Sequence, residues 1–406
     1  MKKRLLSLAL ALALCLGLLP SAALAAEAEL PDWQFLFAVF KNVDAGGKDQ
    51  NGKSARAKYS MTQDELDFIR EDAQDFQEYM NQVGVMQAHV DVVEIDAQVT
   101  DLDEYSGGSW LSDNQAAPLL EDTVDLDRYD HVFCVVSLNE LDTKWLGLTG
   151  APFENGTGQT CINLRNRDYC LNVLRSTEKE FPESMYVHEF LHFMNQLSVK
   201  WGKEYGLHDI RLNFYKPDDD NGEACYTDII LNRARGDAGT GVAPAAWRYP
   251  PRILRTTSEL TVPSGVTSIG PYAFQNLANL TKVTIPGSVS EIGKYSFRNC
   301  TGLTEATILS GVAGIGEWAF GCYGDLQGSL VKVFIPASVT SIEYAAFWKS
   351  GVKEVYYGGT EEQWKAIRMG EFNNALTSAT IHFNSPEPQQ PAGARYDHRC
   401  AASLTD

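Results

Sequence analysis

The C-terminal third of the chain repeats one pattern four times, and this periodicity limits the folds that the chain can adopt. Four phenylalanines are spaced by 23, 23 and 27 residues, and so are four isoleucines that precede them: Phe274, Phe297, Phe320 and Phe347, with Ile269, Ile292, Ile315 and Ile342. The longer step corresponds to an insertion at Tyr323–Leu330. Each unit offers a short strand, a proline turn and a phenylalanine, but no face that it could bury alone. The units must therefore stack into a solenoid.

The repeats resemble the BspA-like leucine-rich repeats of secreted and surface bacterial proteins. The resemblance covers residues 258–358 and depends on the x-I-P-x-S-V-x-x-I-G-x-x-A-F stretch and on N-C-x-x-L at Asn299–Leu303. The closing VYYGGTEEQWKAI (Val355–Ile367) is similar to the terminal repeats of that family. The resemblance implies a leucine-rich repeat (β-solenoid-like) domain at residues 251–385 that binds a protein or cell-surface partner. The tail, 386–406, contains PEPQQP and is expected to be disordered.

The N-terminus has the pattern of a secretory signal. Three basic residues precede the apolar run Leu5–Leu19, and Ala23-Leu24-Ala25 supplies small residues for cleavage. We expect residues 1–25 to be removed and the protein to be secreted. Attachment of the secreted protein to the cell surface is the alternative location. The run is too short to favour a membrane span.

The charge of the chain excludes some partners. Without the three basic residues of the signal, the balance is 31 − 53 = −22. Such an acidic protein is repelled by phosphate backbones and anionic lipid, so we expect neither nucleic-acid binding nor membrane insertion.

Residues 26–250 contain no repeats and predict an α+β domain. Strand patterns occur at 34–43, 86–99, 131–137 and 160–164, a helix at 62–83, and a glycine-rich loop at 147–158. The strand at 160–164 is a candidate sheet edge that aligns an extended substrate. Paired prolines in WRYPPR (Trp247–Arg252) indicate a linker, and Cys161–Cys170 is the most plausible disulfide.

One short stretch, MYVHEFLHFMNQ, has the spacing of a zinc site. His188 and His192 are four residues apart, which places two imidazoles on one face of a helix, one turn apart. Glu189 is rotated by about 100° from His188 and can reach a metal-bound water as general base. Neither Gly nor Pro interrupts Ser184–Lys200, and the surroundings of the motif are apolar, which is typical of a buried helix.

The third zinc ligand must come from elsewhere in the chain. Gly202 is expected to end the helix, and the chain length after it allows His208 to return to the site. Asp209 fits nearly as well, and Glu223 could serve from a second helix. Tyr215 is the nearest tyrosine that could stabilise an oxyanion.

The arrangement resembles the zincin metallopeptidases. The resemblance depends on VHEFLH followed by LHD and a tyrosine, within Tyr186–Asn232. The resemblance implies a zincin-like domain at residues 26–250 that binds Zn²⁺ and hydrolyses protein or peptide substrates. We therefore expect a secreted zinc metallopeptidase with leucine-rich repeats. The alternatives are a non-catalytic, zinc-containing adhesin and a hydrolase of a non-peptide amide.

Overall fold

The computed structural model describes residues 30–105, 108–138, 141, 147–149, 152, 157–164, 184–205, 229–230 and 242–389. The described residues from Pro31 onward belong to one compact unit. The predicted signal peptide and the predicted tail beyond residue 389 lie outside the described residues. The domain boundaries 26–250 and 251–385 stay predictions.

The part that precedes the repeats contains eight strands and five α-helices whose bounds lie among the described residues. In chain order they are β1 (Asp32–Lys48), β2 (Ser54–Ser60), α1 (Gln63–Val83), β3 (Gln87–Val99), β4 (Asp103–Tyr105), β5 (Gly108–Trp110), α2 (Asp113–Leu120), β6 (His131–Val136), β7 (Gly147–Thr149), β8 (Gly158–Asn163), α3 (Ser184–Lys200), α4 (Pro244–Arg248) and α5 (Pro251–Thr256). The helix predicted at 62–83 is confirmed: Thr62 caps it and forms a capping box with Glu65.

A six-stranded mixed sheet forms the centre of this part. β1 pairs in parallel with β3 and β6, and β6 pairs in parallel with β8, whereas β2 and β7 are antiparallel to β1 and β8. β8 therefore lies between β6 and β7, and the prediction that this strand is a sheet edge is wrong. The loop expected at 147–158 contains β7, which occupies that edge among the described strands.

Both faces of the sheet are buried, which explains why its central strands are apolar almost without interruption. Successive residues of β1 alternate between two cores. Trp33, Phe35 and Phe37 face α1 and α3, while Leu36 and Phe40 face the side that α2 covers.

The segment predicted as a linker is part of the packed fold. Trp247 in α4 is 3% exposed, and its carbonyl oxygen accepts a hydrogen bond of 2.8 Å from Trp33 Nε1. Arg252 in α5 donates through its backbone N–H to Asp130 Oδ1 (2.7 Å) and through Nη2 to Asp32 Oδ2 (2.7 Å). The paired prolines start α5 rather than interrupt structure, since proline is favoured in the first helical turn.

The repeats form two parallel sheets, as the resemblance implied. One sheet contains β9 (Glu259–Thr261), β11 (Lys282–Ile285), β13 (Glu305–Ile308), β15 (Lys332–Ile335), β17 (Glu354–Tyr357) and β19 (Thr380–His382). The other contains β10 (Ser268–Ile269), β12 (Glu291–Ile292), β14 (Gly314–Ile315), β16 (Ser341–Ile342) and β18 (Arg368–Met369). Two short helices, α6 (Glu361–Ala366) and α7 (Asn374–Thr377), lie near the end.

The repeated phenylalanines stack along the solenoid. Ring centroids are 5.1 Å apart for Phe274 and Phe297, 5.2 Å for Phe297 and Phe320, and 5.2 Å for Phe320 and Phe347. The predicted repeat spacing is therefore confirmed, because equivalent residues of successive units lie on adjacent rungs.

Cys161 is a free thiol, and the predicted bridge to Cys170 is wrong. Cys161 is 2% exposed and lies in register with Cys134 of the neighbouring strand, which is also free. Burial raises the pKa of the Cys161 thiol to about 12, so it behaves as a small core hydrophobe.

Candidate functional site

The His-Glu-x-x-His stretch lies on α3, and the helix is buried nearly all round as predicted. Seven apolar side chains of the helix are at most 3% exposed: Tyr186, Val187, Phe190, Leu191, Phe193, Met194 and Leu197. The helix ends where the sequence predicts, because Gly202 adopts a left-handed φ of 70° and the Lys203 N–H bonds back to the Ser198 carbonyl oxygen (3.0 Å).

The two histidines of the motif lie close together. The ring centroids of His188 and His192 are 5.0 Å apart, with an angle of 83° between the rings, and both side chains are partly exposed. Two imidazoles on one rigid helical face are the donor set that zinc sites commonly use. The side chains of these two predicted ligands are therefore near enough to share one ion.

Four candidate site residues lie outside the described residues. These are His208, its alternatives Asp209 and Glu223, and Tyr215, all within 206–228. In the described part of the chain, no three His, Cys, Asp or Glu side chains form a group that could hold a metal ion. The zinc prediction therefore depends on a ligand from 206–228 and stays a prediction.

Glu189 is the buried carboxyl group of the site. It is 9% exposed, and burial raises its pKa to about 7, against a smaller lowering by hydrogen bonds from Thr149. Thr149 Oγ1, on β7, lies 2.7 Å from the Glu189 carbonyl oxygen and 3.2 Å from Glu189 Oε2. A carboxyl group with a pKa near neutrality is suited to accept and return a proton.

A chain of hydrogen bonds continues from Thr149 into the sheet. Thr149 Oγ1 lies 3.0 Å from Thr160 Oγ1, which lies 3.1 Å from His131 Nε2. His131 is fully buried, burial lowers its pKa to about 3, and its Nδ1 has no hydrogen-bond partner among the described residues. His131 is therefore neutral, with its proton on Nε2.

The proton positions along this chain follow from the donors available. A threonine hydroxyl has one proton, so Thr149 donates to the Glu189 carbonyl oxygen and accepts from Thr160, which accepts from His131. The Thr149 hydroxyl also lies 3.2 Å from Glu189 Oε2, so its one proton is shared between the carbonyl oxygen and a carboxyl oxygen of Glu189. The hydroxyl thereby contacts both the backbone and the side chain of Glu189.

Sequence reasoning connected neither His131 nor Thr149 with the candidate site. The three residues of this chain come from β6, β7 and β8, so no local spacing connects them with Glu189. Only the strand order of the sheet brings them together.

The C-terminal end of α3 contacts the first repeat directly. The Gly270 N–H donates to the Lys200 carbonyl oxygen (3.0 Å), and the ring centroids of Trp201 and Phe274 are 4.9 Å apart. A Cβ at Gly202 would lie 1.9 Å from Ser268 Oγ, so the two backbones approach as closely as glycine permits. The helix of the motif and the solenoid therefore share one packed core.

Comparison with known proteins concerns the repeats. Residues 254–383 match the family described as BspA type leucine-rich repeat region, in six copies. Two solved structures are similar. A leucine-rich cell surface protein from Faecalibacterium prausnitzii A2-165 is 27% identical, with 28% of this chain and 35% of that chain covered and a TM-score of 0.21. A leucine-rich repeat protein from Eubacterium ventriosum ATCC 27560 is 16% identical, with 34% and 45% covered and a TM-score of 0.21.

The chain thus spans less than half the length of either solved protein. No curated protein matches the chain. The leucine-rich repeat assignment is confirmed for residues 254–383, while the zincin-like assignment of 26–250 stays a prediction. In the described ranges no helix is long and apolar enough to cross a membrane.

Proposed function

We propose that this protein binds a protein partner through its repeat region and that it does so outside the cell. One observation carries the proposal. Among the described residues seven large hydrophobic side chains are exposed, and six of them lie in the repeats: Tyr272, Tyr323, Leu326, Val331, Tyr344 and Phe372. Exposed apolar groups gathered on one element mark interaction surfaces. The location follows from the signal-like pattern at residues 1–25.

An array of extracellular and cell-surface proteins tests this function with the full chain. We expect saturable binding that Tyr323→Ala and Tyr344→Ala together weaken, because these rings are 64% and 43% exposed. Glu189→Gln, a change in the other candidate site, should bind as the parent does. Binding that ignores the ring variants, or none at all, would contradict a binding role of the repeats.

A second candidate function is zinc-dependent hydrolysis of peptide bonds at α3. The paired imidazoles of His188 and His192 beside the buried carboxyl group of Glu189 favour it. The donor set fits Zn²⁺, which these two residues and His208 would hold. When bound, zinc would lower the pKa of a water molecule and polarise the scissile carbonyl group.

The residues of the chain would move the proton and position the substrate. Glu189 would accept a proton from the water and return it to the leaving amine. Thr149 would keep Glu189 in place through its two contacts on β7. Tyr215 remains the predicted stabiliser of the oxyanion.

Zinc content and hydrolysis of a broad peptide library separate the two candidates. Stoichiometric zinc in the parent and in Glu189→Gln, with cleavage by the parent alone, would support a peptidase. Zinc in both without cleavage would support the non-catalytic, zinc-containing binding protein. Absence of zinc from the parent would contradict both the peptidase and the zinc-containing binding protein. The repeats would then be the functional part. Cleavage of simple amides but not of peptides would indicate a hydrolase of another acyl group.

A further inference from the structure

Six exposed or half-exposed aromatic side chains follow one line along the repeats. We call this line the aromatic stripe: Tyr272, Tyr295, Trp318, Tyr323, Tyr344 and Phe372. Backbone hydrogen bonds connect its rungs, from Tyr272 N–H to the Lys294 carbonyl oxygen (3.0 Å) and from Trp318 N–H to the Tyr344 carbonyl oxygen (3.1 Å). The side chains therefore lie on neighbouring rungs. Ring contacts join them in pairs, with centroids 4.9 Å apart for Tyr272 and Tyr295, 5.9 Å for Trp318 and Tyr323, and 5.2 Å for Tyr344 and Phe372.

Several members of the stripe hold a backbone conformation that bulky residues rarely adopt. The φ angle is 58° at Tyr272, 60° at Tyr295, 55° at Trp318 and 62° at Phe372. Glycine would adopt the same conformation without steric strain, so the fold alone does not require a ring at these positions. The fourth unit has Ala345 at the equivalent position, with a φ of 52°, so the conformation belongs to the repeat turn, and three of the four units place an aromatic ring there in spite of the strain.

A single unpaired cation lies in the stripe. The guanidinium carbon of Arg298 is 4.9 Å from the ring centroid of Tyr295 and 5.9 Å from that of Tyr323. Arg298 Nε is buried without a hydrogen-bond partner, and no acidic side chain in the described part of the chain pairs with this arginine. By contrast, Lys294 pairs with Glu317 at 2.9 Å. In a chain of net charge −19, an arginine left without a carboxylate is available to a carboxylate of another molecule.

The rings favour a protein over a glycan. Tyr272 and Tyr295 stack on each other with centroids 4.9 Å apart and an interplanar angle of 26°, and Lys294 Nζ is 4.8 Å from the Tyr295 centroid. These contacts and Arg298 cover the ring of Tyr295, which therefore offers no flat platform for a sugar ring. Tyrosine, tryptophan and arginine are also the residues that dominate the energetics of protein–protein interfaces. The net negative charge disfavours nucleic acid.

We infer that the aromatic stripe is the docking surface for a protein segment that presents an aspartate or glutamate between apolar residues, with its carboxylate on Arg298. The inference rests on the proposed binding function of the repeats and specifies the chemistry of the partner. The apolar side chains of the segment pack against the rings, and the carboxylate accepts hydrogen bonds from the guanidinium, which the two tyrosine rings hold in place.

Selection of a displayed library of random dodecapeptides against the full chain tests the inference. We expect enriched peptides to contain an acidic residue flanked by apolar ones. Their affinity should fall at least ~tenfold on Arg298→Gln, because a desolvated ion pair is lost, and by a similar factor on Tyr323→Ala. Tyr323 is 64% exposed, so its variant keeps the fold even where Arg298→Gln does not. Lys353→Gln, an exposed cation outside the stripe, is the matched control and should bind as the parent does.

The possible results separate this inference from the proposed function. Enriched peptides that lack acidic residues, or that bind Arg298→Gln as tightly as the parent but bind Tyr323→Ala more weakly, would overturn the inference while leaving a binding role of the repeats. No enrichment, with no partner on the protein array, would remove both. Stripe-dependent binding to a neutral glycan array without peptide enrichment would assign the stripe to sugars and overturn the inference alone.

Discussion

The contact between α3 and the first repeat can be tested at Gly270. A Cβ at this position would lie 2.0 Å from the Val199 carbonyl oxygen, whereas real Cβ atoms essentially never come within 3.0 Å of such an atom. Gly270→Ala must therefore separate the end of the helix from the repeat by about 1 Å. The same movement stretches the hydrogen bond from the Gly270 N–H to the Lys200 carbonyl oxygen, now 3.0 Å long.

The expected loss of stability follows from these two effects. Overpacking in a close contact costs about 1–3 kcal/mol, and weakening one buried hydrogen bond costs about 1 kcal/mol, so the free energy of unfolding should fall by about 2–4 kcal/mol. For a cooperative unit of roughly 350 residues, the unfolding entropy is about 0.7 kcal/mol/K. The midpoint of thermal unfolding should fall by about 3–5 °C.

Calorimetry on the full chain measures this change. The matched control is Gly265→Ala, because a Cβ at Gly265 meets nothing within 4 Å. We expect the control to keep the parent midpoint and Gly270→Ala to shift a single transition that includes both the sheet and the repeats. The opposite result is two separate transitions, with Gly270→Ala lowering only the midpoint of the later repeats or neither midpoint. It would show that α3 and the solenoid do not unfold together.

Three further predictions concern single buried groups. Without metal, ionisation of Glu189 in the folded state is disfavoured, since its pKa is raised from 4.5 to about 7. Chemical denaturation in the presence of a chelator should therefore show Glu189→Gln to be more stable than the parent by about 3 kcal/mol at pH 8 and equally stable at pH 4. Asp130 is fully buried, and its pKa is raised from 3.8 to about 6, so the stability that its protonated form contributes below pH 4 should be lost as the pH rises through 6, by about 3 kcal/mol. The free energy of unfolding measured against pH should therefore change less for Asp130→Asn than for the parent. An equal slope would contradict this. Phe297→Ala removes a ring from the middle of the stack and should lower the free energy of unfolding in urea by about 3–5 kcal/mol. The exposed Tyr323→Ala should lower it by less than about 1 kcal/mol. Equal losses would exclude the stack as a source of stability.

The solenoid could be predicted from the sequence almost residue by residue. A fixed step between Phe274 and Phe297 determines which residues share a rung, and each rung needs only its neighbours to bury its face. The helix at 63–83 and the strands β1, β3 and β6 were predictable for a similar reason, because their apolar patterns are long and local. The end of α3 at Gly202 followed from glycine's tolerance of positive φ.

The sheet order and the surroundings of Glu189 could not be predicted in this way. Strand β7 has three residues and lies inside a glycine-rich stretch, so its period is too short to indicate a strand. Its pairing with β8 determines which strand is at the edge, and its non-local contact with α3 determines which hydroxyl contacts Glu189. Likewise, the prolines of WRYPPR have the same local signature in a linker as in the first turn of α5.

The packing of α3 determines how the two candidate functions can be separated. The helix carries His188 and Glu189 near its start and contacts the first repeat at its end, through Trp201. Trp33 in β1 also bonds to Trp247, next to the start of the repeats. Cutting the chain near residue 250 would therefore expose core residues on both sides, and a loss of zinc, cleavage or binding in a truncated protein would report lost packing. Point variants in the full chain avoid this. Glu189→Gln leaves the aromatic stripe intact, and Tyr323→Ala changes a side chain 64% exposed and distant in sequence from α3, so each variant affects one function.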